Sequence, residues 1–412
     1  MGYLELDVEL SDEAKAMQET ARKFGMEVMR PAGIELDKLA DPADVIAEGS
    51  VLWDMFKQHR ELGFHKMGIP KAAGGMMEDM PPMARTLIAE QMGYADVGLA
   101  VSLGVSGMPF NIAMMVPDPD IQKLVREYAE DTEAGLIGCW GITEPDHGSD
   151  WVIGTTSAGA DPRLVPSLRG ELKGDEYILN GRKSAWVSNG TIATHAVLHV
   201  GLDPSKGIHG HGLAICPLDL PGISRGKPLD KIGQRPLNQG EIIFEEVKLP
   251  KSYMFISDPA IFGSGMGKMF LGTANTGMGV LLSGLAQAAF DEALKYAKER
   301  IQGGVPIIEH QNIKLKLFKM FSMVESARAF ARRVSKYNVA QGPMRSSPAH
   351  GITAKVLSTE TAFTVASEAI QILGGYGLTK EYPVEKMFRD ARASMIEDGT
   401  NEALALAAAE DF

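Results

Sequence analysis

Cysteine is almost missing from this sequence, which has only Cys139 and Cys216. Two thiols cannot build a disulfide framework, so stability has to come from an apolar core, and the scarcity fits a reducing compartment. A basic excess is missing as well. The 41 Lys and Arg stand against 53 Asp and Glu, a formal charge of −12, which argues against a broad nucleic-acid footprint but allows a local basic groove for phosphates. No apolar run reaches the roughly 18–20 residues that a membrane span needs. The first ten residues carry acids where a leader would carry bases, and Leu6 breaks a myristoylation pattern. There is no P-loop, no internal repeat and no low-complexity segment. The expectation is a cytoplasmic protein with no nucleic-acid partner and no membrane span.

What is present is globular: 45% hydrophobic and 23% charged residues over a chain of 412. At roughly 150 residues per domain that length suggests two or three lobes, and three textures are visible. Residues 12 to about 138 read as helical, with Ser11 as an N-cap before Asp12-Glu13. Gly74-Gly75, Pro81-Pro82 and Pro117-Asp118-Pro119 punctuate them. Residues 140–258 turn to short β-like runs: 177–187 around an Asn180-Gly181 turn, then 195–200, 212–216 and 241–247. Strands without helices between them suggest a sandwich or barrel. From about Met269 the pattern is helical again. Leu285, Ala289, Ala293 and Ala297 form one stripe, Ile313, Leu317, Phe321 and Val324 a second, and residues 351–373 a third helix that ends at Gly374-Gly375. The domains are expected at 1–138 (helical), 139–258 (β) and 259–412 (a helical bundle), an α+β fold.

Candidate chemistry is sparse. His195 and His199 are four apart but lie in a strand-like run with no following Glu, so helical zinc geometry is not expected, and His209-Gly210-His211 reads as a loop tip. Cys139 reads as a small buried hydrophobe, with nothing nearby to activate a thiolate. Gly263-Ser264-Gly265-Met266-Gly267 falls short of a dinucleotide fingerprint and lacks the strand before it. Two segments stand out. In Thr143-Glu144-Pro145-Asp146-His147-Gly148-Ser149-Asp150 a tight turn offers hydroxyls and N–H groups to an anion, although the same residues also read as an ordinary polar loop. In Glu397-Asp398-Gly399-Thr400-Asn401-Glu402 two acids precede a glycine that lets a ligand approach the backbone. Its plainer reading is a helix start capped by Thr400, with Glu402 as a first-turn acid.

Taken together, the chain resembles the acyl-CoA dehydrogenase family. Five patterns match in the family's order over nearly the whole length from Ser11 onward. They are Ile142-Thr143-Glu144-Pro145 with Gly148-Ser149-Asp150; Gly174-Asp175-Glu176-Tyr177 through Asn180-Gly181 to Trp186-Val187-Ser188; and Glu299-Arg300 with Glu309-His310-Gln311. The last two are Gln371-Ile372-Leu373-Gly374-Gly375-Tyr376-Gly377 with Glu381-Tyr382-Pro383-Val384-Glu385-Lys386, and Arg389-Asp390 with Gly399-Thr400-Asn401-Glu402. The resemblance implies a fold of N-terminal helical domain, middle β-domain and C-terminal four-helix bundle. It also implies FAD as cofactor, an acyl-CoA substrate, an electron-transfer flavoprotein as electron acceptor, and a homotetramer. Trp140, Ile142, Thr143, Gly148 and Ser149 would line the flavin and its pyrophosphate, Trp186 would lie on the ring, and Ser188 would hydrogen-bond near N5. Arg300, Gln311, Gln371, Leu373, Gly374 and Gly375 would hold the partner subunit's FAD, with Thr400 and Glu402 reaching the cofactor again. Ser149, Asn275 and Gly399 would face the substrate.

Asp398 holds the position of the family's catalytic glutamate, and no acid stands near Ala274, where other members carry their base. In the implied reaction a carboxylate takes the α-proton of a thioester while the flavin takes the β-hydride. An aspartate reaches one methylene less far. The substrate then sits closer, or abstraction moves to another carbon, as with a branched or cyclic acyl group. Other departures are Asn275 in place of a commoner arginine, Trp140 and His147 in place of small residues, and about eight extra residues between Asp150 and Gly174. Two rival readings keep the fold: a desulfinase-like or nitroalkane-oxidising flavoenzyme, and a non-catalytic flavin-binding relative.

Overall fold

The computed structural model describes residues 5–116, 118–258, 267–342, 346–410 and 412. The glycine run at 263–266 and Pro117 lie outside them. The chain opens with seven helices: α1 (Asp12–Phe24), α2 (Arg30–Asp37), α3 (Val51–Glu61), α4 (Ala84–Ala95), α5 (Val97–Ser106), α6 (Met108–Ala113) and α7 (Pro119–Glu130). Ser11 Oγ accepts from Ala14 N, with acids in the first turn of α1 and Arg22 and Lys23 in the last, so the cap and the helix dipole act together. Asp96 caps α5 through Leu99 N at 2.9 Å. Phe24, Leu36, Leu52, Phe56, Leu99 and Leu103 close the core of this part.

Next come β1 (Gly138–Gly141), a short α8 (Asp150–Ile153), β2 (Arg169–Lys173), β3 (Glu176–Lys183), β4 (His195–Gly201), β5 (His211–Pro217), β6 (Ile223–Arg225) and β7 (Ile242–Pro250). They form one mixed sheet in the order β1-β4-β2-β3-β7-β6, with β5 on β4. β1 runs parallel to β4, and β3 pairs antiparallel with both β2 and β7. The Asn180-Gly181 pair, expected as a hairpin turn, lies inside β3. The turn sits at Gly174-Asp175, between Lys173 and its partner Glu176. At Asn180-Gly181 the register with β7 slips instead, and Asn180 Oδ1 accepts from Glu246 N at 2.9 Å. A glycine is needed there for the bulge, because its φ is 128° and a Cβ would come within 2.6 Å of Ser167 O.

A two-stranded ribbon, β8 (Ile301–Gln302) with β9 (Val305–Pro306), separates the first two long helices of the last region. These are α9 (Gly267–Glu299), α10 (Gln311–Gln341), α11 (Pro348–Leu373), α12 (Val384–Ser394) and α13 (Asn401–Ala409). The stripe Leu285, Ala289, Ala293 and Ala297 is buried as expected. On α10 the reading fails at Phe321, which is 47% exposed. Steps of four drift by about 40° each around a 3.6-residue helix, and the buried face follows mixed steps through Leu317, Met320, Val324, Ala327 and Ala331. By length and composition α9 is apolar enough to cross a membrane, against the reading of the sequence. In the fold it is the central helix of the bundle, with α4, α10 and α11 packed around it.

Candidate functional site

The turn between α12 and α13 carries Asp398, which adopts a left-handed φ of 52°, and Gly399 follows at 98°. Gly399 cannot carry a side chain, because a Cβ would lie 2.5 Å from Val152 Cγ2 on α8. Thr400 caps α13 through Ala403 N, as its plainer reading expected, and Glu402 is an exposed first-turn acid. The turn is pinned from three directions. Thr400 N donates to Ser149 Oγ at 3.0 Å, Lys355 Nζ donates to Gly399 O and Asn401 Oδ1 at 2.9 Å each, and Gln234 Nε2 donates to Glu397 Oε2 at 2.6 Å. Strained backbone at a non-glycine residue persists where the surroundings over-determine it, and here they do.

Asp398 is open to solvent, yet burial, opposed by Lys355, still lifts its carboxyl above the usual aspartate range. Burial also pushes Glu397 up to about 7, against the Gln234 hydrogen bond, with the Asp398 charge adding to the rise. Lys355 is fully buried on α11, and burial lowers it to about 8 against the pull of Asp398, Glu397 and Glu402. A carboxyl beside a buried cation and a second acid, all shifted by burial, is a pattern that proton-transfer sites share.

The other half of the site is the segment after β3. Trp186 is 56% exposed, and Ser188 beside it is half-buried. Ser184 N donates to Thr143 O at 2.8 Å, which ties this segment to the loop after β1. Gln239 Nε2 donates to both Trp186 O and Ser188 Oγ at 3.2 Å. An open aromatic face beside a fixed hydroxyl fits the flat ring of a flavin. The loop 143–150 does less for an anion than its sequence suggested. Its Glu144 and His147 N–H groups bond each other's carbonyls, and Gly148 N donates to Asp150 Oδ1 at 2.6 Å. Glu144 is itself a structural anchor, fully buried with Lys183 at 2.7 Å. Trp140 donates to His199 Nε2 at 2.9 Å, Ile142 O accepts from Lys183 Nζ at 3.3 Å, and Gly148 is exposed.

Two of the expected contact residues are buried. Asn275 is wholly buried in α9, with Nδ2 donating to Leu271 O at 2.9 Å. Leu373 is 3% exposed and its side chain belongs to the bundle core. Arg300, Gln311, Gln371, Gly374 and Gly375 are exposed at the other end of the bundle, where Arg300 lies 5.9 Å from the Tyr376 ring centre. Lys355 and Leu373 are 18 positions apart on α11, so about 27 Å of helix separates the Gln371–Gly375 end from Lys355, which holds the Asp398 turn. The fold also brings in Lys231, Gln234, Gln239 and Lys355, none of which the sequence singled out. The one signal for any of them was Lys355 itself, a lone lysine on the apolar face of α11. Among the described residues no three His, Cys, Asp or Glu side chains group as a metal site.

Known proteins share this three-domain organisation. The acyl-CoA dehydrogenase N-terminal, middle and C-terminal domain models match residues 11–116, 139–247 and 267–411. The chain is 30% identical to the mitochondrial short-chain specific acyl-CoA dehydrogenase of Rattus norvegicus, over 96% of its own length and 89% of the relative's. It is 31% identical to a probable acyl-CoA dehydrogenase of Bacillus subtilis, over 96% and 97%. Among solved structures, butyryl-CoA dehydrogenase from Megasphaera elsdenii superposes with a TM-score of 0.84 at 26% identity, covering 98% of this chain and 99% of the other. A glutaryl-coenzyme A dehydrogenase in complex with glutaryl-CoA gives 0.84 at 27% identity, covering 98% and 96%. The chain therefore belongs to the acyl-CoA dehydrogenase family of oxidoreductases, whose cofactor is FAD.

Proposed function

We propose that the protein removes the α- and β-hydrogens of an acyl-CoA thioester, with Asp398 as the base that takes the α-proton. The observation that carries this reading is the Asp398 turn, held from three sides by Ser149, Lys355 and Gln234. The FAD supplies the acceptor for the β-hydride, and Trp186, Ser188, Thr143 and Ser149 are the residues of this chain that would hold it. Asp398 has to be ionised to act, and a base whose proton affinity is raised by its surroundings takes the weakly acidic α-proton more readily. Lys355, by its charge, opposes that rise and favours the ionised carboxylate. Its bond to Gly399 O keeps the carboxylate from swinging away, which preserves a near-attack geometry. The thioester oxygen needs donors where its charge develops, and the N–H of Asp398 is a donor that this turn offers. The short aspartate arm favours a branched or cyclic acyl group that sits close to the turn, and an electron-transfer flavoprotein is the proposed electron acceptor.

The cofactor site is proposed to need more than one chain. The Arg300 and Gln371–Gly375 patch lies at the end of α11, about 27 Å along the helix from Lys355, which is too far to serve the same reacting centre in one subunit. Leu315, Phe318, Phe321 and Leu378 are exposed at 47–77% on or beside the bundle, which suits a homotetramer. A panel of straight, branched, cyclic and dicarboxylic acyl-CoAs with an artificial electron acceptor tests the reading. At least one ester should bleach the flavin of the purified tetramer. A flavin that stays oxidised with all of them, but is reduced by a nitroalkane or a sulfinyl thioester, would replace it with a rival reaction. A flavin-loaded monomer in light scattering would remove the two-chain site.

A further inference from the structure

Residues 231–239 belong to none of the sequence motifs, yet they reach both halves of the site. Gln234 holds Glu397 beside the base. Gln239, 6% exposed, sits against Ser188 in an isolated antiparallel bridge. The chemistry of its neighbours allows its amide one orientation only. Lys231 Nζ, which as an ammonium can only donate, lies 2.8 Å from Gln239 Oε1. Trp186 O, which can only accept, lies 3.2 Å from Nε2. The amide NH2 is therefore turned toward the Trp186–Ser188 segment, and its second hydrogen goes to Ser188 Oγ at 3.2 Å. A hydroxyl that accepts from this side keeps its own hydrogen for another acceptor, and among the described residues Ser188 donates to no protein group. Lys231 is held in turn by Leu237 O at 2.6 Å, which fixes the amide from behind.

We propose that Gln239, backed by Lys231, is a positioning residue that makes Ser188 a hydrogen-bond donor to the flavin ring. The inference rests on the proposed function in taking Ser188 as the flavin contact. A donor fixed at a ring nitrogen favours the reduced, more electron-rich flavin. Without Gln239 the hydroxyl is free to turn, and the donor is lost for part of the time.

Two variants test this in the FAD-loaded enzyme. Gln239→Glu keeps the shape and the Lys231 contact but puts an acceptor where the NH2 was, so Ser188 donates backward to it. Gln239→Leu removes donor and acceptor without adding charge. Both should shift the flavin absorption spectrum, lower its midpoint potential and slow flavin reduction by about ten-fold, the scale of one hydrogen bond, with FAD occupancy kept. In a Ser188→Ala background either change should add little, because both act through the same hydroxyl. Wild-type spectra and potentials in both variants, or effects that add fully to Ser188→Ala, would overturn the proposal. If Gln239→Leu fails to fold, Gln239→Glu alone decides it. An enzyme whose flavin no acyl-CoA reduces would fail the proposed function, while the spectrum and potential would still decide on Gln239.

Discussion

Asp398→Asn is expected to slow flavin reduction by acyl-CoA by about 10²–10⁴-fold, the usual range for loss of a general base. Asparagine keeps the shape of the side chain, tolerates the left-handed φ of 52° as aspartate does, and leaves the Lys355 and Ser149 bonds to the turn in place. FAD content and CoA-ester binding should therefore persist, and the loss should fall on the chemical step. Glu397 is the neighbour to exclude. Its carboxylate is turned to Gln234, 2.6 Å away, so Glu397→Gln should cost far less. The pH dependence separates the two acids. Burial raises both, so flavin reduction should climb with pH as Asp398 loses its proton, above the pH at which a free aspartate would. Glu397→Gln should remove any second inflection near 7 and keep the first. Stopped-flow reduction across pH checks this, and the reverse ranking of the two variants would move the base to Glu397. Asp398→Glu then reports on the substrate. A gain on straight-chain esters with a loss on bulky ones would mark the short arm as a specificity device.

How much of this was legible beforehand differs between fold and site. The three-region order, the strands β4, β5 and β7 and the buried stripe of α9 follow from local periodicity, which the sequence carries directly. The Asn180-Gly181 turn misled because glycine serves bulges as well as turns. Only the pairing with β7, some sixty residues away, decides between them. Phe321 misled because a spacing of four alone does not hold one helix face. At the site, Asp398, Gly399 and Thr400 were legible as a motif, and so was Ser149. What holds them was not. Lys355, Gln234 and Gln239 act across separations of 44, 163 and 51 residues, and nothing local to them distinguishes a site residue from a core or loop residue. Asn275, a position carried over from relatives, is buried by the helix packing of this chain, which no local signal announced.

The second large effect concerns stability. Lys386 on α12 donates to Asp96 Oδ2 and to Asp390 Oδ2, both at 2.6 Å, and all three side chains are buried. Asp96 also caps α5 in the N-terminal region, and Asp390 Oδ1 accepts from Gln234 N in the middle domain at 2.5 Å. One ammonium, through these two carboxylates, thus joins all three regions of the fold. The two carboxylates hold Lys386 firmly protonated, well above the ordinary lysine range. Lys386→Met fills the same space but leaves two buried carboxylates facing each other with no cation. Breaking a buried pair in this way typically costs about 3–5 kcal/mol, far more than the pair adds over an apolar replacement. An exposed pair provides the control. Lys57 and Glu133 are 46% and 75% exposed, and Lys57→Met should change stability by less than about 1 kcal/mol. The pH dependence should carry the signature of the cause. In Lys386→Met the uncompensated carboxylates bind protons more tightly when folded than when unfolded. Their protonation then supports the fold at low pH, and that support is lost as pH rises through the raised value. The deficit against wild type should therefore be smaller near pH 5 than at pH 7.5 in thermal melts of the FAD-loaded protein. A deficit no larger than that of Lys57→Met at either pH would mean that Lys386 is replaceable packing. Partial recovery on adding Asp390→Asn would confirm that the unpaired charge, rather than the lost side chain, is what unfolds the joint.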